Sequence, residues 1–326
     1  MIEVVIPAHN AAPFLRAALE SVAAQTHPPA RVTVVEDRST DGTRALAEAC
    51  ARELAPRLDI RVLDNAGPPG PSAARNTAIR ASTAPWIALL DADDLLEPAH
   101  HATLGAIAEG APGTALAFGD CSLFDGETGA VLFESHHAKS DLAALASEAA
   151  PGGGRRLAGP AFEALLDDPH VPTSASLLRR EALLRHGLFD ETMLYCEDAH
   201  LFLRLAAAEG VVFTPARLAR KRMHDANLSH DRNDLPFRRS EALCVMKLLG
   251  LAPGEGAGIA LTPPQRAAAL AALPRLLNGY LYEASRHGPR AYADGVALCR
   301  AAGLGRLAWR PRHLARALVR GFSRGP

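Results

Sequence analysis

The sequence predicts an α/β fold, with a mostly parallel central sheet flanked by helices and followed by a helical carboxy-terminal appendage. Three observations lead there. Short apolar runs alternate with segments of helical period through the first hundred residues, as a sheet with right-handed crossovers requires. Polar segments, PAHN from Pro7, EDRSTDGT from Glu36 and DADD from Asp91, follow three of those runs. Beyond His230 only helical periodicity remains, in a stretch rich in alanine, leucine and arginine.

In chain order, residues 2–6 read as the first strand and 13–24 as a helix, with Pro13 suited to its first turn. Phe14, Leu15, Ala18, Leu19 and Val22 fall on one buried stripe. Strand-like residues 31–35, 60–63 and 86–90 alternate with helical 42–54 and 72–81. Past Ala111 the pattern loosens: 115–119 and 130–134 look like strands, and 149–154 like a mobile loop of glycine and small residues. From Val171 the expected elements are a strand at 174–178, helices at 180–186 and 197–209 separated by a turn at 187–190, and strands at 211–213 and 217–223. Helices follow near 237–249, 264–285, 289–302 and 311–322. Two regions result, 1–230 and 231–326, the first with halves of about 1–110 and 111–230; the loop 251–258, with Pro253, Gly254, Gly256 and Gly258, reads as a hinge or boundary.

At 326 residues, 48% hydrophobic and 22% charged, the composition is that of an ordinary globular protein. A formal charge of −1 argues against a nucleic-acid partner. Five widely spaced cysteines without a CxxC pair argue against a zinc site or disulfide framework. No secretion signal is visible and no run approaches the ~20 apolar residues that cross a bilayer, so a cytoplasmic location is the default expectation.

Ligands of open α/β sheets gather outside the carboxyl ends of the strands, so the three polar segments should line one rim. Neither GxGxxG nor GxxxxGKS/T occurs there, which disfavours the usual dinucleotide folds and P-loop NTPases. In extended backbone Asp91 and Asp93 share a face and can aim two hard oxygen ligands at one divalent cation, while Asp94 points the other way. The structural alternative is an acidic turn in which Asp93 or Asp94 caps a helix beginning near Leu95.

In sequence order, VVIPAHN, VVEDRSTDGT, AARNTAI, IALLDADD, GLFDE, YCEDAHLFLRLA and RMHDANLS resemble the family 2 glycosyltransferases of the GT-A fold, over about residues 2–229. The resemblance implies inverting transfer of a sugar from a nucleoside-diphosphate donor, UDP- or dTDP-linked, to an acceptor hydroxyl or amine. It sets Pro7, Ala8 and Asn10 near base and ribose and makes Asp37 a hydrogen-bond acceptor for the base. Arg75 and Asn76 would face the nucleotide from a helix amino end, the guanidinium offering a planar fork of donors. Asp91 and Asp93 become a DxD pair holding Mn2+ or Mg2+ on the diphosphate, with His224 a further ligand that favours manganese. Asp198 becomes the base that takes the acceptor's proton, with Glu197 positioning it or capping the helix.

Each assignment has a structural counterpart: helix capping for Asp37, a role Asp41 already fills, a surface salt bridge for Arg75, a hydrogen-bonding role for His224, and helix-dipole stabilisation for Glu197 and Asp198. Thr173, Ser174 and Ser176 either line the acceptor pocket or are incidental. The chain departs from the family at His200, where an acid is common, and in the insertion Gly67-Pro68-Pro69-Gly70-Pro71. Two other classes compete. A sugar-phosphate nucleotidyltransferase would want a glycine-rich basic loop after the first strand, which is missing, and a non-catalytic sugar-nucleotide-binding protein sits poorly with intact acidic motifs.

From Arg300 onward there are seven arginines and no acid. Arg312, Arg316, Arg320 and Arg324 recur every fourth residue and Leu314, Leu318 and Phe322 follow two positions later, so at ~100° per residue the two stripes lie on opposite faces. Such a helix can rest on an anionic membrane, where it would meet a lipid-linked acceptor, or pack its apolar face on the catalytic domain or a second subunit of a homodimer.

Overall fold

In a computed structural model of the chain, residues 1–138, 142, 145–168, 170–228, 230–253 and 258–322 are described. Ser229, Gly254, Gly256 and Arg324, and the side chains of Arg320 and Phe322, lie outside them. The chain divides into two compact units, one of Met1–Leu194 and Leu201–His224, the other of Tyr195–His200 and Asp225–Pro326.

The first unit opens with β1 (Ile2–Ala8), α1 (Leu15–Ala23), β2 (Arg31–Glu36), α2 (Thr43–Leu54), β3 (Ile60–Asp64), α3 (Pro71–Ala81) and β4 (Trp86–Leu89). It continues through β5 (Leu95–Leu96), α4 (His100–Gly110), β6 (Thr114–Asp125), β7 (Val131–Phe133), β8 (Ser147–Ala149), β9 (Arg155–Leu157) and α5 (Ala161–Asp167). Then come β10 (Ser176–Arg179), α6 (Arg180–His186), α7 (Glu197–Ala208), whose first turn falls in the second unit, and β11 (Gly210–Met223). The sheet order is β3-β2-β1-β4-β10-β6-β11-β9-β8. Neighbours from β3 to β4 are parallel, as are β6 and β11, while β10 runs antiparallel between β4 and β6. Val4, Val5, Ile6, Ile87, Ala88 and Leu89 are all fully buried, so both faces of the central strands are covered, as a parallel sheet with crossover helices demands.

Several expectations change in three dimensions. Leu15, Ala18, Leu19 and Val22 bury as the α1 stripe, but Phe14 is only half-buried and leaves that stripe. No helix begins near Leu95. Residues 95–96 instead pair with β11, and α4 waits until His100 because Pro98 disfavours helical backbone at Glu97. The loop at 149–154 is a hairpin turn between β8 and β9. Gly152 there has φ 74°, and a Cβ on it would come within 2.3 Å of the Ala106 carbonyl, so only glycine fits against α4. Residues 211–213 and 217–223 form one strand with an irregularity between Phe213 and Arg217, and the short helix α5 has no strong periodicity to announce it.

The second unit is helical: α8 (Asp234–Leu249), α9 (Pro263–His287), α10 (Pro289–Ala301) and α11 (Pro311–Phe322). Thr262 opens α9 with a reciprocal capping box to Gln265. Loop 251–258 joins α8 to α9 inside this unit. Among the described residues no helix is long and apolar enough to cross a membrane.

Candidate active site

The DADD segment is the turn between β4 and β5. Leu90 makes the last ladder bond, its N–H donating to Val5, and the chain reverses as the Asp94 N–H donates to the Asp91 carbonyl. Because β5 pairs with β11, the end of β11 runs beside this turn and delivers residues 222–224 to it. His224 Nε2 lies 2.9 Å from Asp93 Oδ2, although 131 positions separate the two. Arg222 donates its Nε–H to the Asp93 carbonyl and its backbone N–H to Asp94 Oδ1, both at 2.9 Å. Phe14, released from the core stripe, stacks on the His224 imidazole at 4.5 Å between ring centroids, and the Arg222 guanidinium sits over the same phenyl ring.

The acidic residues have separate environments. Asp94 points inward and is buried, and burial first, then the neighbouring charges of Asp93 and Asp91, pushes its carboxyl well above the usual carboxylate range. Ser174 links it to the exposed part of the turn: its hydroxyl donates to Asp94 Oδ2 at 2.7 Å and accepts the Asp91 N–H at 3.1 Å. Asp91 is half-buried and pairs with the buried Arg75 guanidinium at 2.7 Å, while Arg75 also lies over the Phe189 ring.

Asn76 turns elsewhere. Its amide donates to the Phe189 carbonyl and Glu191 and accepts the Phe189 N–H, which ties α3 to the GLFDE segment. Asn76 is thus a buried clasp and, like Arg75, lies on the second turn of α3 rather than at its amino end.

Along the rim, Asp37 is a hub. Its Oδ1 accepts from Asn65 and pairs with Arg38, and its Oδ2 accepts the Gly70 N–H at 2.6 Å. The Gly67–Pro71 insertion is thus held against Asp37, and Gly70, at φ 131°, adopts backbone that a side chain resists. Asn10, itself at φ 48°, accepts the Thr40 N–H and donates its own to Ser39, and His9 Nδ1 lies 2.6 Å from the Asp37 carbonyl. Asp41 accepts from the Thr43 N–H at the start of α2. Pro7 and Ala8 end β1, where Ala8 stands opposite Glu36 in parallel register. The carboxyl ends of β1, β2 and β4 consequently share one side of the sheet, and the three polar segments line it.

Glu197 and Asp198 occupy the first turn of α7, within the second unit. Glu197 is buried, Asp198 half-buried, and Asp198 Oδ1 accepts the Ala199 N–H. Cys196 immediately before them has φ 57°, a left-handed conformation that β-carbon sterics penalise and that concentrates at functional turns. His200 is buried one turn on, its N–H donating to Cys196.

Sequence reasoning gave no role to Asn65 or Arg222, put Phe14 in the core stripe, and reached His9, Arg38 and Gly70 only as members of the rim segments and the insertion, while Ser174 was left between the acceptor pocket and an incidental place. Ser174 carried a signal, a small hydroxyl residue just before a buried strand.

The Glycosyl transferase family 2 model matches residues 3–120. The succinoglycan biosynthesis protein ExoO of Rhizobium meliloti is 42% identical over 95 residues, covering 29% of this chain and 26% of ExoO. The pre-mycofactocin glycosyltransferase of Mycobacterium tuberculosis is 32% identical over 215 residues, covering 64% of this chain and 39% of that protein. The chain thus spans well under half the length of these relatives. Among solved structures, S. aureus TarS 1–349 in complex with UDP-GlcNAc superposes with a TM-score of 0.64 at 15% identity, covering 92% of this chain and 81% of that one. The mannosyltransferase PcManGT of Pyrobaculum calidifontis, in complex with GDP-Man and Mn2+, gives 0.57 at 19% identity over 99% and 88%. At such identities these structures show the fold alone. Residues 3–120 thus match the family 2 glycosyltransferases, and the chain shares the fold of the solved glycosyltransferase structures it superposes on.

Proposed function

We propose that the chain transfers a sugar, with inversion, from a UDP- or dTDP-sugar to a hydroxyl or amine of a glycan, lipid-linked or small-molecule acceptor. One observation carries the reading: the DADD turn and the end of β11 converge at the strand-end rim, with Asp93 and His224 side by side.

Among the described residues no three His, Cys, Asp or Glu side chains group closely enough to hold an ion by themselves. Asp93 and His224 supply one oxygen and one nitrogen donor, so an ion between them needs further oxygens, which a donor diphosphate has. That set fits Mn2+ or Mg2+, and the imidazole favours manganese. The Mn2+ bound with GDP-Man in PcManGT supports the same reading. When bound, the cation supplies electrostatic relief of the charge building on the departing nucleoside diphosphate. The protein's own part is positional: Phe14 holds the imidazole plane, Arg222 holds the Asp93 backbone, and Arg75 fixes Asp91. Pro7, Ala8, Asn10 and Asp37 would meet the base and ribose, with the Asp37 lone pairs left after Asn65, Arg38 and Gly70 accepting the base N–H. Asp198 is assigned as the base that takes the acceptor's proton, on the order of the motifs. Peripheral contact with a membrane through the carboxy-terminal helix belongs to the same reading.

The test is a panel of UDP- and dTDP-sugars incubated with Mn2+ and no acceptor. Slow release of free nucleoside diphosphate from one donor is the expected result. Pyrophosphate-dependent formation of a nucleoside triphosphate would identify a nucleotidyltransferase instead, and tight donor binding with no turnover on any acceptor would identify a binding protein.

A further inference from the structure

The last helix packs the wrong way round for a helix that serves its own fold. A surface helix normally turns its apolar stripe inward. In α11 the covered side carries His313, Arg316 and Ala317: Ala317 is buried, the Arg316 guanidinium lies 4.9 Å from the Tyr282 ring centre of α9 and donates to Ser285, and His313 meets the same ring edge-on. The opposite side is left in solvent, with Leu314 40%, Leu318 49% and Val319 66% exposed, and Trp309 just ahead of the helix 77% exposed. Arg306, Arg310 and Arg312 are exposed around that apolar strip, and no acid follows Asp294.

We propose that this strip docks on an anionic lipid surface, Trp309, Leu314, Leu318 and Val319 entering the interface and the arginines meeting the headgroups. The inference rests on the peripheral-contact part of the functional reading and not on catalysis. Two observations favour lipid over a second copy of the chain. A helix of 12 residues offers a footprint of roughly 200 Å² per copy, against about 800 Å² per partner in a stable interface. A two-fold pairing would also set the arginine rim of one copy against that of the other. An interfacial tryptophan with flanking arginines is what a headgroup region accommodates.

The experiment is sedimentation of the full chain with phosphatidylcholine vesicles, with and without phosphatidylglycerol, alongside tryptophan emission. Only Trp86 and Trp309 are present and Trp86 is buried, so a blue shift reports Trp309. Cosedimentation with the anionic vesicles, a blue shift, and a loss of about tenfold or more in partitioning for Leu318→Glu are expected. Trp309→Ala, at the most exposed position, is the second variant and should weaken binding in the same direction. Donor hydrolysis should be unchanged in both, so docking and transfer fail separately. No binding of the unmodified chain to anionic vesicles, or equal binding by both variants, overturns the proposal; so does a dimer that Leu318→Glu dissociates without any vesicle binding.

Discussion

At residue scale the two carboxylates with assigned chemistry should fail differently. Asp93→Ala is expected to lower transfer by roughly 100-fold or more and to abolish metal-dependent donor binding, because it removes the oxygen beside His224. Asp198→Asn should lose transfer comparably while donor binding persists, since only the proposed proton acceptor is gone. Titration of a fluorescent donor analogue with and without Mn2+ separates the two, and full activity in either variant removes that residue's role. Ser174 gives a structural counterpart. Its hydroxyl serves the Asp91 N–H and Asp94 together, so Ser174→Ala should cost about 1–3 kcal/mol in urea unfolding and reduce turnover through a loosened turn. Asp91 with Asp93 and Glu197 with Asp198 stood out in the sequence as acidic residues at short spacing. Ser174 and Phe14 did not, because a serine before a strand and a phenylalanine at a helix start look the same whether they serve the core or the site.

At the scale of elements, the buried histidines of α4 and of the connection after β7 set an acid limit. Burial holds the His101 imidazole down to about 4, and also His137, where Asp120 opposes the effect. A folded-state value below the unfolded one of about 6.5 means that the unfolded chain takes up the proton first. Stability is therefore full above about pH 6.5 and falls as the pH drops towards 4, by about 3 kcal/mol for each group over that window. Urea unfolding at stepped pH should show the decline, and His101→Gln should flatten part of it; an unchanged slope in the variant would assign the decline to other groups. Strands and helices of the first hundred residues were legible from period alone. The two-residue β5, the seven-residue α5 and the β8–β9 hairpin were not, since so few residues carry no measurable period.

At the scale of the whole molecule, no cross-link holds the fold. All five cysteines are free and buried, and burial raises the thiols of Cys50, Cys121, Cys196 and Cys299. Thermal unfolding should shift by no more than about 1 °C with reductant, and the native chain should react with a thiol reagent far more slowly than the denatured one. A rapid stoichiometric reaction of the native protein would contradict this burial. What the sequence by itself determined is the class of fold, the strand-end location of the acidic motifs and the amphipathic character of the tail, because periodicity records which side of each element is buried or polar. Tertiary structure alone decided that His224 meets Asp93, that Asp37 clamps the inserted loop, and that Arg316 and His313 of the last helix pack on α9 while Leu314, Leu318 and Val319 stay exposed. Those outcomes depend on strand order, register and the partner an element finds, and contacts that span from 28 to 131 positions leave no local trace in the chain that makes them.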